Sequence, residues 1–276
     1  MEPVFTPGLP EDPRETLPVA GSFCAFLDGD LVLVGEPSRL PTDLQVVSSA
    51  TVRGLYLGSL DGTPLWAVEL RGDTSLPKGW RSVSLRAATA MVPASVWRAA
   101  SYASQLLHWD RTASFCGACG SRTEPVGGER ARRCPACDHR WYPRVSPCTI
   151  TLVHDGDRVL MTRKAEWPAG RYGLVAGFLE PAETLEECAR REVLEETGVT
   201  VEAPVYQGSQ PWPFPHQLMV GFRARYASGE VAHEESELED ARWFPVDALP
   251  VLPPRFSIAR RLIDDWVDEV RPPKPR

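Results

Sequence analysis

The sequence predicts an α/β protein in three parts: a mainly β segment over 1–112 that ends in a linking helix, a four-cysteine zinc ribbon over 113–143, and an α/β/α sandwich over 144–270. A disordered tail over 271–276 follows. Three observations carry this reading. Short apolar runs alternate with Gly, Asp and Pro turns across most of the first hundred residues. Two CxxC pairs stand fourteen residues apart near the middle of the chain. In the last part, strand-like runs are interleaved with one glutamate-rich amphipathic helix and one closing helix.

Composition bounds the partners. At 276 residues and 43% hydrophobic, the chain is long enough for about two domains with substantial cores. A net charge of −7 argues against binding nucleic acid through a broad basic surface and favours a small ligand at a local site. Of seven cysteines, Cys24, Cys148 and Cys188 stand outside the CxxC pairs, so no evenly paired disulfide framework is expected and a reducing, cytoplasmic setting fits. The first residues, MEPVFTPGLPEDPRETLP, have neither a basic n-region nor an apolar h-region, and no run approaches the roughly 18 apolar residues that span a bilayer. No membrane partner is expected.

Residues 1 to about 20 read as a loose arm. From Ser22 to about Val92 the runs FCAFLD, DLVLVGE, RGLYLGSL and PLWAVEL are strand candidates with no catalytic constellation. Pro93 to His108 carries Val96, Ala100, Ala103 and Leu107 at helical spacing, which puts His108 at a helix end. Cys116, Cys119, Cys134 and Cys137 then form two knuckles with the spacing of a tetrahedral thiolate site. Four cysteines leave no open coordination position, so one structural Zn²⁺ per chain is expected; two disulfides or a redox dithiol is the alternative. Arg130, Arg132, Arg133 and Arg140 cluster in the same segment and raise the question of nucleic-acid contact there.

After Trp141-Tyr142-Pro143-Arg144 comes a β run, CTITLVHDGDRVLMTRK, with a turn at Asp155-Gly156-Asp157, then strands near Val205 and from Leu218 to Tyr226. Between them lies a helix opened by a Thr184/Glu187 capping box and stopped by Gly198. The closing helix, about Ser257 to Val270, presents Ile258, Leu262, Ile263 and Trp266 as an apolar face.

The glutamates of the central helix are placed against local preference. Glu192, Glu195 and Glu196 sit at i, i+3 and i+4 in its last turn, where carboxylates oppose the helix dipole and repel one another, at about a few tenths of a kcal/mol each. A divalent cation of Mg²⁺ type, which takes oxygen ligands and bridges phosphates, reverses that cost. A solvated acidic face is the bland alternative.

The stretch GFLEPAETLEECARREVLEETGV resembles the Nudix box, filling all of its defined positions with Gly177, Glu183, Arg191, Glu192, Val193, Glu195, Glu196, Gly198 and Val199. The resemblance implies the Nudix α/β/α sandwich, with Glu192, Glu195 and Glu196 holding Mg²⁺ or Mn²⁺ and Glu196 central. Glu183 supports the site, and Arg191 fixes loop to helix by pairing with a glutamate. Which carboxylate takes the proton from the attacking water stays open.

The string SQPWPFP at 209–215 is close to the SQPWPFPxS motif of the NADH pyrophosphatase branch, with Gln217 where the motif has Ser. Physically it reads as a rigid turn whose three prolines fix φ and hold Trp212 and Phe214 for a flat aromatic ring. In place of a hydroxyl, Gln217 offers a longer side chain with both donor and acceptor. The resemblance runs from about Cys116 to Trp266. It implies substrate contacts from Phe178, Gln210, Trp212, Phe214, Gln217 and Met219, from Tyr142 and Glu129, and from the backbone at Ala259. It implies a further metal carboxylate at Glu237, with Glu234, Glu235 and Glu239 as competitors, and a homodimer in which Tyr142 reaches the partner's site.

The activity implied is metal-dependent hydrolysis of NAD(H) to nicotinamide mononucleotide and AMP, and removal of NAD caps from RNA 5′ ends. A Nudix hydrolase for ADP-ribose or another nucleotide sugar is a second reading. A zinc-ribbon nucleic-acid binding protein on an inactive Nudix scaffold is a third, and the intact glutamates weigh against it.

Overall fold

The computed structural model describes residues 3–10, 17–18, 20–233 and 237–271. Glu234, Glu235 and the proline-rich tail over 272–276 lie outside these. The chain divides into two units, residues 1–144 with 213–215, and residues 145–212 with 216–276.

In the first unit, β1 (Phe5–Pro7), β2 (Ser22–Leu27), β3 (Asp30–Val34), β4 (Thr51–Leu60), β5 (Thr63–Leu70) and β6 (Trp80–Val83) form one sheet in the order β1-β4-β5-β2-β3-β6. Part of the expected loose arm is therefore an edge strand, Phe5 to Pro7 pairing with Leu60 to Gly58. Alternation along the strands sorts the core onto two faces. Phe23, Ala25, Val32, Trp66 and Val68 build one cluster, while Cys24, Phe26, Leu31, Leu33 and Ala67 pack with the helix that follows.

Of two helices, α1 (Leu85–Ala88) is a single turn and α2 (Ala94–Thr112) is the long one. Helix α2 buries Val96, Ala99, Ala100, Ala103, Leu106 and Leu107 against the sheet. It runs a full turn beyond the expected end, so His108 sits inside it, and Thr112 Oγ1 donates to the His108 carbonyl. The sequence pattern missed this turn because its buried members, Trp109 and Asp110, include a charge. Asp110 is 4% exposed and accepts from both Arg53 and Arg132, the latter at 2.5 Å.

Arg132 belongs to the small ribbon sheet of β7 (Glu124–Pro125), β8 (Arg132–Arg133) and β9 (Arg140–Trp141). The arginine cluster is largely spent on structure. Arg130 donates to the carbonyls of Tyr56 and Gly8, Arg132 to Asp110 and Thr123, Arg140 to Glu129 at 2.8 Å, and Arg133 pairs with Asp138 at 3.4 Å.

The second unit contains β10 (Ser146–Asp155), β11 (Arg158–Arg163), β12 (Val175–Phe178), α3 (Leu185–Thr197), β13 (Thr200–Val201), β14 (Val205–Trp212), β15 (Gln217–Ser228), β16 (Asp240–Pro245) and α4 (Ile258–Val270). The sheet runs β13-β15-β10-β11-β16, with β12 on β10 and β14 on β15; β10 and β15 are parallel. Along β10, Cys148, Ile150 and Leu152 face a cluster with Ile258, Leu262, Ile263 and Trp266 of α4. Val153 faces the opposite side with Val193 of α3. The sandwich follows from that alternation. Among the described residues, no helix is long and apolar enough to cross a membrane.

The SQPWPFP string divides differently from expectation. Ser209, Gln210, Pro211 and Trp212 are strand residues of β14, paired with Val220, Met219, Leu218 and Gln217 of β15, and the turn is confined to residues 213–216. Pro211 is tolerated because β14 pairs on one side alone, where no ladder bond needs its missing N–H.

Candidate active site

The ribbon brings its four cysteines together. Their Sγ atoms all lie within 4.8 Å of one another, with Cys116 to Cys137 at 3.6 Å and Cys119 to Cys134 at 3.5 Å. A tetrahedron with Zn–S bonds of about 2.3 Å has S–S edges of about 3.8 Å, so the donor set fits Zn²⁺. Each knuckle is stapled by backbone: Gly120 N–H donates to Cys116 O at 2.8 Å and Asp138 N–H to Cys134 O at 2.9 Å.

Helix α3 starts with the expected capping box, Thr184 Oγ1 accepting from Glu187 N–H at 3.2 Å while Glu187 Oε2 accepts from Thr184 N–H at 2.8 Å. It ends at Gly198 with φ 71°, a left-handed C-terminal stop that disfavours a side chain. On this frame Arg191 gathers the acidic groups. Its Nε and Nη2 grip Glu183 bidentately at 2.7 and 2.9 Å. Nη1 donates to Glu192 at 2.7 Å and Glu195 at 2.9 Å, and Nη2 also donates to the Phe178 carbonyl at 2.9 Å. The resemblance implied one partner glutamate; the structure has three.

Arg191 holds the Glu183 carboxyl down at about 2, well below the usual range, and Glu183 in turn accepts from Glu180 N–H at 3.0 Å, which pins the loop. Behind the helix, a Cβ at Gly177 would overlap the Glu192 carboxylate, which would then have to move. Buried Cys188 completes the seam, with its Sγ 3.4 Å from both Thr149 Oγ1 and the Phe178 carbonyl.

Glu196 differs from the rest. It is 4% exposed, and among the described residues no side-chain hydrogen bond or ion pair reaches its carboxyl group, Lys164 acting on it through charge alone. Burial pushes its carboxyl up to about 7; Lys164 opposes the shift, and the charges of Glu192 and Glu237 add to it. Glu192 is raised too, by burial first, with Arg191 opposing. A buried carboxylate without a partner is costly, and a bound cation is the ordinary remedy. The donor chemistry of these carboxylates suits a divalent metal with oxygen ligands, while among the described residues only the four ribbon cysteines already stand close enough together to hold an ion. Glu237 is near enough for its charge to reach both Glu192 and Glu196. Its competitor Glu239 is engaged by Arg163 at 2.5 Å.

The residues assigned to substrate divide between the units. In the second, sheet register lines up Phe178, Cys148, Met219 and Gln210 as one row across β12, β10, β15 and β14. Phe178 is 50% exposed at the end of its strand, and Met219 lies in the cluster that includes Ala259 of α4. Trp212 faces Gln217 across the hairpin and stacks on Phe256 at 5.8 Å. Phe256 had no motif to announce it. In the first unit, Tyr142 is exposed and its hydroxyl donates to Glu129 at 3.4 Å, while Phe214 lies 3.8 Å beneath the Arg86 guanidinium.

The site has known counterparts. Residues 143–267 match the NUDIX domain model, 111–142 the NADH pyrophosphatase zinc ribbon domain, and 21–109 the NADH pyrophosphatase-like rudimentary NUDIX domain. The chain belongs to the Nudix hydrolase family. Among its relatives are proteins named NAD-capped RNA hydrolase NudC. The one from Stutzerimonas stutzeri is 47% identical over 208 residues, 75% of each chain. The one from Deinococcus radiodurans is 41% identical over 244 residues, 87% of this chain and 85% of that one. A crystal structure of a Nudix hydrolase from Nitrosomonas europaea covers 56% of this chain and 91% of its own at 25% identity, with a TM-score of 0.50.

Proposed function

We propose that this protein is a divalent-metal-dependent pyrophosphatase that hydrolyses NAD(H) to nicotinamide mononucleotide and AMP, and removes NAD caps from RNA 5′ ends by breaking the same bond. The observation that carries the reading is Glu196, a buried residue whose carboxyl group has no hydrogen bond or ion pair among the described residues and feels the charge of Glu192, one of the carboxylates that Arg191 clasps. The substrate is supported by the family of the ribbon and N-terminal segments and by the relatives' names.

Glu192, Glu195, Glu196 and Glu237 would hold Mg²⁺ or Mn²⁺, which suit an all-oxygen donor set. When bound, the cation neutralises the diphosphate and polarises the P–O bond that breaks. The chain's own part is positional. Arg191 fixes Glu192 and Glu195 relative to the Phe178 backbone, and Gly177 leaves room for Glu192. One of the cluster's carboxylates accepts the proton of the attacking water. A homodimer, with Tyr142 contributed across it, belongs to the same reading and is checked by solution mass.

The test incubates purified protein with NADH, ADP-ribose and NAD-capped RNA in Mg²⁺ or Mn²⁺ and identifies products by mass. Reduced nicotinamide mononucleotide and AMP from NADH are expected; much faster turnover of ADP-ribose overturns the substrate assignment. On capped RNA the cap should dominate recognition, because the ribbon arginines Arg130, Arg132, Arg133 and Arg140 already have protein partners. RNA binding that weakens steeply with salt contradicts this.

A further inference from the structure

Gln210 uses both ends of its amide on the protein. Its Nε2 donates to the Phe256 carbonyl at 2.7 Å and its Oε1 accepts from the Ile258 N–H at 2.7 Å. One side chain thus spans the two residues flanking Ser257, the N-cap of α4, whose hydroxyl accepts from Arg260 N–H at 3.2 Å. Phe256 belongs to neither strand nor helix, so this clamp fixes where its ring lies. The ring lies nearly parallel to Trp212, with centroids 5.8 Å apart and planes at 17°, and both residues are half-buried. A stacked aromatic pair is a stiff support, and the π-face of a base packs well against such a support. Gln210 also lies in the register row of Met219 and Phe178, which the NAD(H) reading assigns to the substrate.

We propose that Phe256 is a specificity-determining residue: with Trp212 it forms an aromatic shelf for a planar base of the dinucleotide, and Gln210 is the positioning residue that holds the shelf. The inference rests on the NAD(H) reading above and names a residue that reading does not use.

Steady-state kinetics on NADH test it in the wild type, Phe256→Leu, Phe256→Tyr, Gln210→Ala and the Gln210→Ala/Phe256→Leu double variant. Phe256→Leu should raise KM about fivefold to tenfold with kcat within about twofold, the size expected for one lost stacking contact. Phe256→Tyr should keep the wild-type KM, since it returns a flat ring, and it keeps the test decisive where the leucine variant folds poorly. Gln210→Ala should raise KM by itself yet add less than about twofold to Phe256→Leu, as residues acting through one another do. An unchanged KM in Phe256→Leu, or a tyrosine variant no better than the leucine one, overturns the shelf. Fully multiplying effects make Gln210 a direct contact and overturn the clamp. A wild type that leaves NADH intact removes the NAD(H) reading and the shelf together, whereas an active wild type with insensitive variants removes the shelf alone.

Discussion

Gly177 and Glu192 show how a single missing atom makes room for a carboxylate. The carboxylate occupies the place a Cβ would take, so Gly177→Ala must push Glu192 out of the cluster. We expect a fall of about 100-fold in kcat for NADH, with a melting temperature within a few degrees of wild type, read by product formation and thermal denaturation. Wild-type kcat in that variant would detach Glu192 from the chemistry. Sequence spacing put Glu192, Glu195 and Glu196 on one helical face, and the structure keeps them there. What spacing could not reveal is that Glu196 is the buried member of the three, because that depends on what the fold lays over it. Nor could it find Phe256, which sits in a proline-rich stretch with no periodicity and acquires its place through Gln210.

At the scale of elements, α3 was legible because every local signal agreed, from the capping box through Cys188, Ala189 and Val193 to Gly198. Thr184→Ala removes the cap and should cost about 1 kcal/mol of stability, with kcat within about threefold, since the cap lies at the end of the helix opposite Glu192, Glu195 and Glu196. Chemical denaturation with activity measured in parallel separates the two. Residues 209–212, the strand part of SQPWPFP, read from sequence as a turn for an equally physical reason. Prolines at 211, 213 and 215 are usually strand breakers, but an edge strand with one free side accommodates Pro211. Likewise α2 outran its apolar pattern, because Asp110 is buried by pairing with Arg53 and Arg132.

Over the whole molecule, that Asp110 pairing, with the Arg130 bonds to the Tyr56 and Gly8 carbonyls, ties the ribbon segment into its unit, and the four thiolates tie the ribbon to itself. Asp110→Ala leaves Arg53 and Arg132 without their shared carboxylate and should cost about 3 kcal/mol, read as a lowered denaturation midpoint. Stripping metal with a strong chelator should release one zinc per chain and lower the melting temperature; unchanged melting would make the thiolate site dispensable. The central claim is that the carboxylates of α3 seat a divalent cation against the diphosphate, and its most direct measurement is the rate of NADH hydrolysis against Mg²⁺ or Mn²⁺ concentration for wild type and Glu196→Gln. The account predicts no wild-type rate without divalent metal, a saturable rise with it, and a loss of at least about 100-fold in the glutamine variant at every concentration. A metal-independent rate, or a glutamine variant as fast as wild type, would contradict it.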